Sequence, residues 1–326
     1  MHEIIILCPW GVQTGGPEAI HQLSDELISL GFNASIFYTT NADFEALQTL
    51  TSNGTNLDAI DIPERINNVE LYKKYQTNSV KSIKFNRNTL VVLPETYLNW
   101  QRFFKRNTSL IWWLSVDNAF SYLDMMKINL NSIKEKNIHH AYQSNYAKNF
   151  LNAIGIKNLS PLSDYTPEGD LKNEYEKNII TMSALPHKVH IDVDHFKKEI
   201  ENHCNIEVRL LRGMSREQVY DALDHSLIYI DFGNFPGKDR MPREALIRDC
   251  CLITSDAGAA GYNEFCIPEE YILSTSSPQL IKHACKNILT NFPLSLERYE
   301  LSKRKIMNEK YIFSSEIFNL FKNLLT

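Results

Sequence analysis

Three cations and a carboxylate in the second half of the chain, Lys188, Lys238, Arg240 and Glu244, have the types and positions to handle a phosphorylated, hydroxyl-rich ligand. Lys188 follows an apolar run at 178–182, and Lys238 and Arg240 follow another at 227–231. Cations at the ends of neighbouring strands can clamp a diphosphate through charge-assisted hydrogen bonds. In a group transfer the same charges would stabilise a phosphate as it leaves. Glu244 complements them as an acceptor for ribose or sugar hydroxyls. Its bland alternative is a first-turn acid that stabilises a helix by some tenths of a kcal/mol to about 1. The loop at 255–261 adds Gly258, Ala259 and Gly261, whose backbone amides are candidates to face phosphate.

These residues need elements to position them, and the stretch from Leu227 to Gly261 reads as strand, polar loop, helix, strand and glycine-rich loop. LIYID and CLIT are short apolar runs of the buried-strand kind. Pro242 is placed as a first helical residue, which puts Glu244 in the first turn, near the positive end of the helix dipole. The same alternation precedes it. A strand at 178–182, the loop SALPHKVH, a helix at 194–201, a strand at 206–211 and a capping box of Ser215 with Gln218 follow in order. Such alternation predicts a parallel, doubly wound sheet that binds ligands outside the carboxyl ends of its strands.

The first half carries an equivalent series. EIIILC at 3–8 reads as a strand, PWGVQTGGP as a loop, and 17–30 as a helix. Gly15 and Gly16 let backbone approach a ligand at that helix N-terminus, where unpaired amides favour anions or sugar hydroxyls. The pattern is not the GxGxxG dinucleotide fingerprint. Strands at 34–38, 89–93, 109–114 and 138–143 follow, and Ser144 is the expected cap of a helix at 145–153. Glu95, Asp117 and Asn118 stand at strand ends and are candidate acceptor-binding contacts, with ordinary helix capping as the alternative. The region 81–106 mixes Lys and Arg with Trp100, Phe103 and Phe104. It is a candidate peripheral contact with an anionic membrane face, the alternative being a solvated basic face with its aromatics turned inward.

Bulk properties narrow the classes. The 326 residues suffice for two domains, and a net charge of -5 excludes a global nucleic-acid footprint. No apolar run approaches the roughly 20 residues of a membrane span, and no signal peptide is expected. Six cysteines without a CxxC pair imply buried thiols in a reduced, cytoplasmic setting. Asp192 and Asp194 spell a D-x-D pattern, but Asp194 is expected to cap the following helix, so neither metal nor cofactor is predicted. The expected domains are 1–168, 169–300 and a helical return segment at 301–326.

Several of these stretches resemble GT-B glycosyltransferases, especially the large retaining family 4. GVQTGGPEAIHQLSDELISLGFNASIF is similar to their N-terminal glycine loop and helix, and AYQSNYAKNFLNAIGI to their last N-domain strand and helix. MSREQVYDALDHSLIYIDFGNFPGKDRMPREALIRDCCLITSDAGAAGYNE is similar to their donor-site block, and SALPHK to their phosphate-binding loop. The resemblance implies two Rossmann-like domains facing across a cleft, with the C-terminal helix packing back across them. It also implies metal-independent transfer of a sugar from a nucleotide-activated donor to a glycan or lipid-linked acceptor, commonly in bacterial surface polysaccharide synthesis. Lys188 would then bind the diphosphate, Gly15 and Gly16 would border donor phosphates or acceptor, and Glu244 would match the second glutamate of an E-x7-E motif. Pro236 occupies the first glutamate's position. A GT-B epimerase or phosphorylase, or a non-catalytic sugar-nucleotide-binding subunit, is the alternative.

Overall fold

The computed structural model describes residues 2–55, 57–119, 130–169, 171, 175–184, 192–274 and 278–325. They divide into two compact units, Met1–Asp164 with Tyr311–Thr326, and Tyr165–Lys310. Lys188 lies outside the described residues.

In the first unit β1 (Glu3–Pro9), α1 (Gly15–Ser29), β2 (Ala34–Thr39) and α2 (Asn41–Ser52) come in succession. A short antiparallel ribbon of β3 (Ala59–Asp61) and β4 (Ser82–Lys84) interrupts the series. It resumes with β5 (Thr89–Pro94), β6 (Thr108–Trp113), β7 (Ile138–Tyr142), α3 (Asn145–Ala153) and β8 (Leu159–Pro161). The six-stranded sheet is parallel throughout, in the order β2-β1-β5-β6-β7-β8. Ser79 bridges Ile36 on the outer side of β2, so one more chain segment lies there. Strand order reverses between β1 and β5.

These strands read as unbroken apolar runs because both faces of the sheet are covered. Ile5, Leu7, Val91, Leu93, Ile111 and Trp113 share one core with Phe44 of α2 and the aromatics of 100–104. On the other face Trp112 stacks on Phe313 at 6.4 Å between ring centroids, and Phe321 approaches Phe32. The C-terminal segment thus completes this unit's core. Fully burying an aromatic of this size stabilises by about 1.5–3 kcal/mol.

The same packing favours the alternative reading of 81–106, a solvated basic face with its aromatics turned inward. Trp100, Phe103 and Phe104 are buried, with Trp100 and Phe103 packed on Phe44. No apolar group of that trio is left to enter a lipid surface. Among the described residues no helix is long and apolar enough to cross a membrane.

The second unit runs β9 (Ile179–Ser183), α4 (Val193–Cys204), β10 (Glu207–Leu211), α5 (Arg216–Asp224), β11 (Ser226–Asp231), α6 (Arg240–Ile247), β12 (Cys251–Ser255) and β13 (Ile272–Leu273). Its sheet is parallel in the order β10-β9-β11-β12-β13, with the reversal between β9 and β11. The doubly wound α/β class predicted from the alternation is therefore present twice. Four helices close the chain, α7 (Pro278–Thr290), α8 (Phe292–Glu297), α9 (Glu300–Met307) and α10 (Glu309–Leu325), so the segment expected as a helical return at 301–326 is helical in two pieces.

Two local expectations change. Asp192, not Asp194, caps α4, accepting the His195 amide at 3.0 Å, while Asp194 pairs with Arg212. Helix α6 begins at Arg240, so Pro242 is its third residue and Glu244 its fifth, beyond the first turn. The first helical amides need no intrahelical acceptor, so proline fits any of those places.

Candidate functional site

Parallel strands deliver their carboxyl ends to one edge, and ligands bind where the strand order reverses. In the second unit that point lies between Ser183 of β9 and Asp231 of β11. Asp231 accepts the Tyr229 hydroxyl at 2.8 Å and the Gly233 amide at 3.0 Å, which fixes the start of the following loop. That loop is laced to the one after β12. Ser255 donates its hydroxyl to Gly233 O at 2.8 Å, and Ala259 donates its amide to Phe235 O at 2.8 Å.

The lacing explains Gly258. Its φ is +56°, and a Cβ there would stand 2.1 Å from the Phe235 carbonyl oxygen. Only glycine permits both the left-handed backbone and this approach. The Ala259 amide, expected to face a phosphate, instead satisfies Phe235.

Lys238 also has a partner within the fold. Its ammonium lies 2.7 Å from Glu309 Oε1, and Arg243 Nη1 donates to Glu309 Oε2 at 2.8 Å. Arg243 donates onward to the Lys238 and Asp239 carbonyls, and Thr166 donates both its amide and its hydroxyl to Glu309. This buried cluster fastens the loop 238–239 to the start of α10. The two cations offset the burial of the carboxylate, whose Oε2 takes the hydrogen bonds of Arg243 and Thr166. The expected clamp cation thus spends its charge on Glu309. Arg240, the first residue of α6, is half-buried at the same edge.

Glu244 is buried, and its Oε1 accepts from Arg216 Nη2 at 2.9 Å and from the Tyr220 hydroxyl at 3.1 Å. Arg216 Nε in turn donates to the Tyr220 oxygen at 2.7 Å. Burial, and then the charge of Glu244, push the Tyr220 phenol up to about 12. Arg216 is the first residue of α5, a helix that starts at the carboxyl edge behind the capping box of Ser215 and Gln218. The box is a local sequence pattern, whereas the placing of Arg216 at the edge follows only from the fold. Pro236, between Phe235 and Lys238, puts no carboxylate in this loop.

In the first unit the carboxyl edge gathers the remaining candidates. Helix α1 opens with Gly15, Gly16 and Pro17 and takes no side-chain cap from Thr14. A Cβ on Gly15 or Gly16 would meet nothing within 4 Å, so neither the fold's packing nor its backbone demands glycine at these two places. The turn before them is held by Tyr72, whose hydroxyl donates to Thr14 O at 2.9 Å and whose ring packs on His21. His21 Nδ1 donates to Pro17 O at 2.6 Å, so in the neutral ring Nε2 accepts the Tyr38 hydroxyl at 3.0 Å. Burial lowers the pKa of this histidine.

Glu95 follows β5 and is buried, accepting the Leu114 amide at 3.0 Å. Burial raises its carboxyl to about 7 against the opposing pull of backbone donors. Asp117 accepts the Tyr146 hydroxyl of α3 at 2.6 Å, and the Asn118 amide donates to Ser115 Oγ at 3.3 Å. Strand adjacency therefore brings Glu95, Asp117 and Asn118 to the same edge as Gly15 and Gly16. Between them they offer a titratable carboxyl, a carboxylate, an amide side chain and helix-start amides.

No protein-family model and no curated sequence matches the chain. Solved structures do. It is similar to S. aureus TarM, determined in complex with Fondaparinux, alpha-GlcNAc-glycerol and UDP, with a TM-score of 0.67 at 10% identity over 100% of both chains. It is similar to Anabaena HepE in complex with UDP and glucose, with a TM-score of 0.68 at 9% identity over 99% of this chain and 100% of that one. A glycosyltransferase from Rickettsia africae gives a TM-score of 0.61 at 15% identity over 100% and 99%. Two Rossmann-like units matched from end to end give this chain the GT-B fold of those glycosyltransferases.

Proposed function

We propose that the protein is a metal-independent glycosyltransferase that moves a sugar from a nucleotide-activated donor to a glycan or lipid-linked acceptor. The observation that carries this reading is the end-to-end likeness of both units to glycosyltransferases solved with UDP or UDP and glucose. In it the donor occupies the carboxyl edge of β9 and β11. Lys188 and Arg240 bind the diphosphate, Glu244 with Arg216 frames the ribose side, and Gly258 shapes the loop beneath. The acceptor occupies the carboxyl edge of the first unit, against Gly15, Gly16, Glu95, Asp117 and Asn118.

During transfer the bond from the anomeric carbon to the diphosphate oxygen breaks and a bond to the acceptor oxygen forms. With retention, as in family 4, the acceptor proton passes to the departing diphosphate on the same face. Fixed cations at that oxygen lower the barrier because charge develops there. Lys238 contributes by holding the loop through Glu309 rather than by touching donor.

A thermal-shift and calorimetric screen of the full chain with UDP-, GDP-, CMP-, dTDP- and ADP-sugars in EDTA tests the reading. One nucleotide class is expected to stabilise the protein, by about 2.7 kcal/mol at a hundredfold excess over Kd. Stabilisation by none of them would sink it.

A further inference from the structure

Four tryptophans are present, and three are core: Trp100 is 3% exposed, and Trp112 and Trp113 are 0%. Trp10, immediately after β1, is 41% exposed. A scattered apolar side chain on a surface needs no explanation, but an indole fixed in place at a ligand-binding edge does. The backbone of Trp10 donates to Thr39 O at 2.9 Å, and its indole Nε1 donates to Ile66 O at 3.0 Å. The ring therefore cannot turn freely. The Arg65 guanidinium stands 5.8 Å from its centroid. Arg65 is itself clamped by both carboxylate oxygens of Asp43, at 3.0 and 2.9 Å, and by Tyr38 O at 3.3 Å.

The result is a rigid aromatic face with exposed Val12 and Ile66 in the adjoining segments. Asp43 matches the charge of Arg65, so the pair supplies no net attraction for an anion. The indole N–H is already used, so the ring offers its face and not a donor. A flat apolar face of this kind complements the C–H face of a pyranose, whose rim carries hydroxyls. Aromatic faces give large contact area with little side-chain entropy left to lose, the more so when the ring is already immobilised.

Resting on the glycosyltransferase reading above, we infer that Trp10 is the platform on which a neutral hexopyranose ring of the acceptor stacks. The acceptor is then a glycan recognised by its sugar surface near the carboxyl end of β1. Arg65 and Asp43 are positioning residues that keep the indole in place.

The full chain, Trp10→Ala and Trp10→Phe are titrated by calorimetry with cellohexaose, maltohexaose, chitohexaose and mannohexaose, and separately with the nucleotide panel above. Wild-type protein is expected to bind at least one oligosaccharide. Trp10→Ala should weaken that binding about tenfold, equivalent to ~1.4 kcal/mol, and Trp10→Phe should restore most of it, while nucleotide affinity is unchanged in both. Because the other three indoles are buried, oligosaccharide should also blue-shift the exposed component of tryptophan emission in the wild type but not in Trp10→Phe. Nucleotide binding that persists while Trp10→Ala binds oligosaccharide as wild type does, or while no oligosaccharide binds, overturns the platform alone. Absent nucleotide binding counts instead against the glycosyltransferase reading. If Trp10→Ala loses affinity for phosphatidylglycerol vesicles and keeps it for oligosaccharide, the residue contacts lipid and the inference is wrong.

Discussion

Arg216, the first residue of α5, donates to Glu244, the fifth residue of α6, at 2.9 Å, so one ion pair joins two helices whose N-termini both lie at the carboxyl edge of the second sheet. Glu244 is buried and Arg216 retains some exposure. Replacing Arg216 with Ala removes the charged donor and leaves the Tyr220 hydroxyl on the same carboxylate oxygen, a loss expected to cost about 1–3 kcal/mol. Arg216→Lys keeps the charge but cannot reach Tyr220 and Glu244 with two fixed nitrogens, and should recover part of it. Urea midpoints at constant m-value measure both. An Arg216→Ala protein as stable as wild type would show that the pair does not join the helices.

His140 should make stability fall in mild acid. Trp113 Nε1 can only donate, and it reaches His140 Nδ1 at 3.0 Å, so that nitrogen must carry a lone pair. Nε2 then bears the proton and donates to Ile133 O at 2.9 Å. Burial lowers this histidine from 6.5 to about 4. In that window the unfolded chain binds the proton and the folded chain does not, so stability is full above about 6.5 and declines as pH falls toward about 4. The whole shift corresponds to ~3 kcal/mol. Denaturation from pH 7.5 to 4.5 should show a steeper decline in wild type than in His140→Gln. Equal slopes would remove His140 as the cause.

Gly258→Ala should be among the costliest small substitutions in the chain. It asks a residue with Cβ to hold φ at +56° and to place that carbon 2.1 Å from a backbone oxygen. The left-handed backbone costs about 1–2 kcal/mol, and the overpacking about 1–3 more. A fall of that size in unfolding free energy is the expected result, together with loss of the contact between the loops after β11 and β12. A neutral outcome would mean that the loops are not interlocked.

The two parallel sheets were legible because their strands are buried on both faces and read as apolar runs punctuated by turn residues, as in EIIILC and LIYID. Capping chemistry was legible where it is local: Ser144 accepts the Ala147 amide, and Ser215 with Gln218 closes a capping box. What depends on distant partners was not. Nothing near Lys238 announces that Glu309, 71 positions on, will take its ammonium, and nothing near Trp112 announces Phe313. The start of α6 was misplaced because proline marks a first turn without saying which residue of the turn it is. The aromatics of 100–104 share their stretch with basic residues, and only the packing against Phe44 decides that they point inward. Trp10 sits in a glycine loop whose sequence does not show that its indole is exposed, since that follows from the contacts with Thr39 and Ile66.

Gly16 offers the sharpest separation of folding from function. In most glycine loops a substitution confounds the two, since a strained backbone or a close neighbour destabilises the protein before any ligand is considered. Gly16 has neither: its φ is not in the positive region, and an added Cβ has open space around it. It also lies in the first turn of α1, where alanine restricts the unfolded chain more than glycine does. Gly16→Ala should therefore leave stability unchanged or raise it by about 0.4–1 kcal/mol, and Gly16→Val should alter it little. If the helix-start amides contact donor or acceptor, the same side chains stand where the ligand must approach. Gly16→Val should then raise the KM of that substrate tenfold or more with thermal stability intact, and Gly16→Ala should fall between. Full activity in Gly16→Val would remove this helix start from the site, because no folding defect is available to hide the answer.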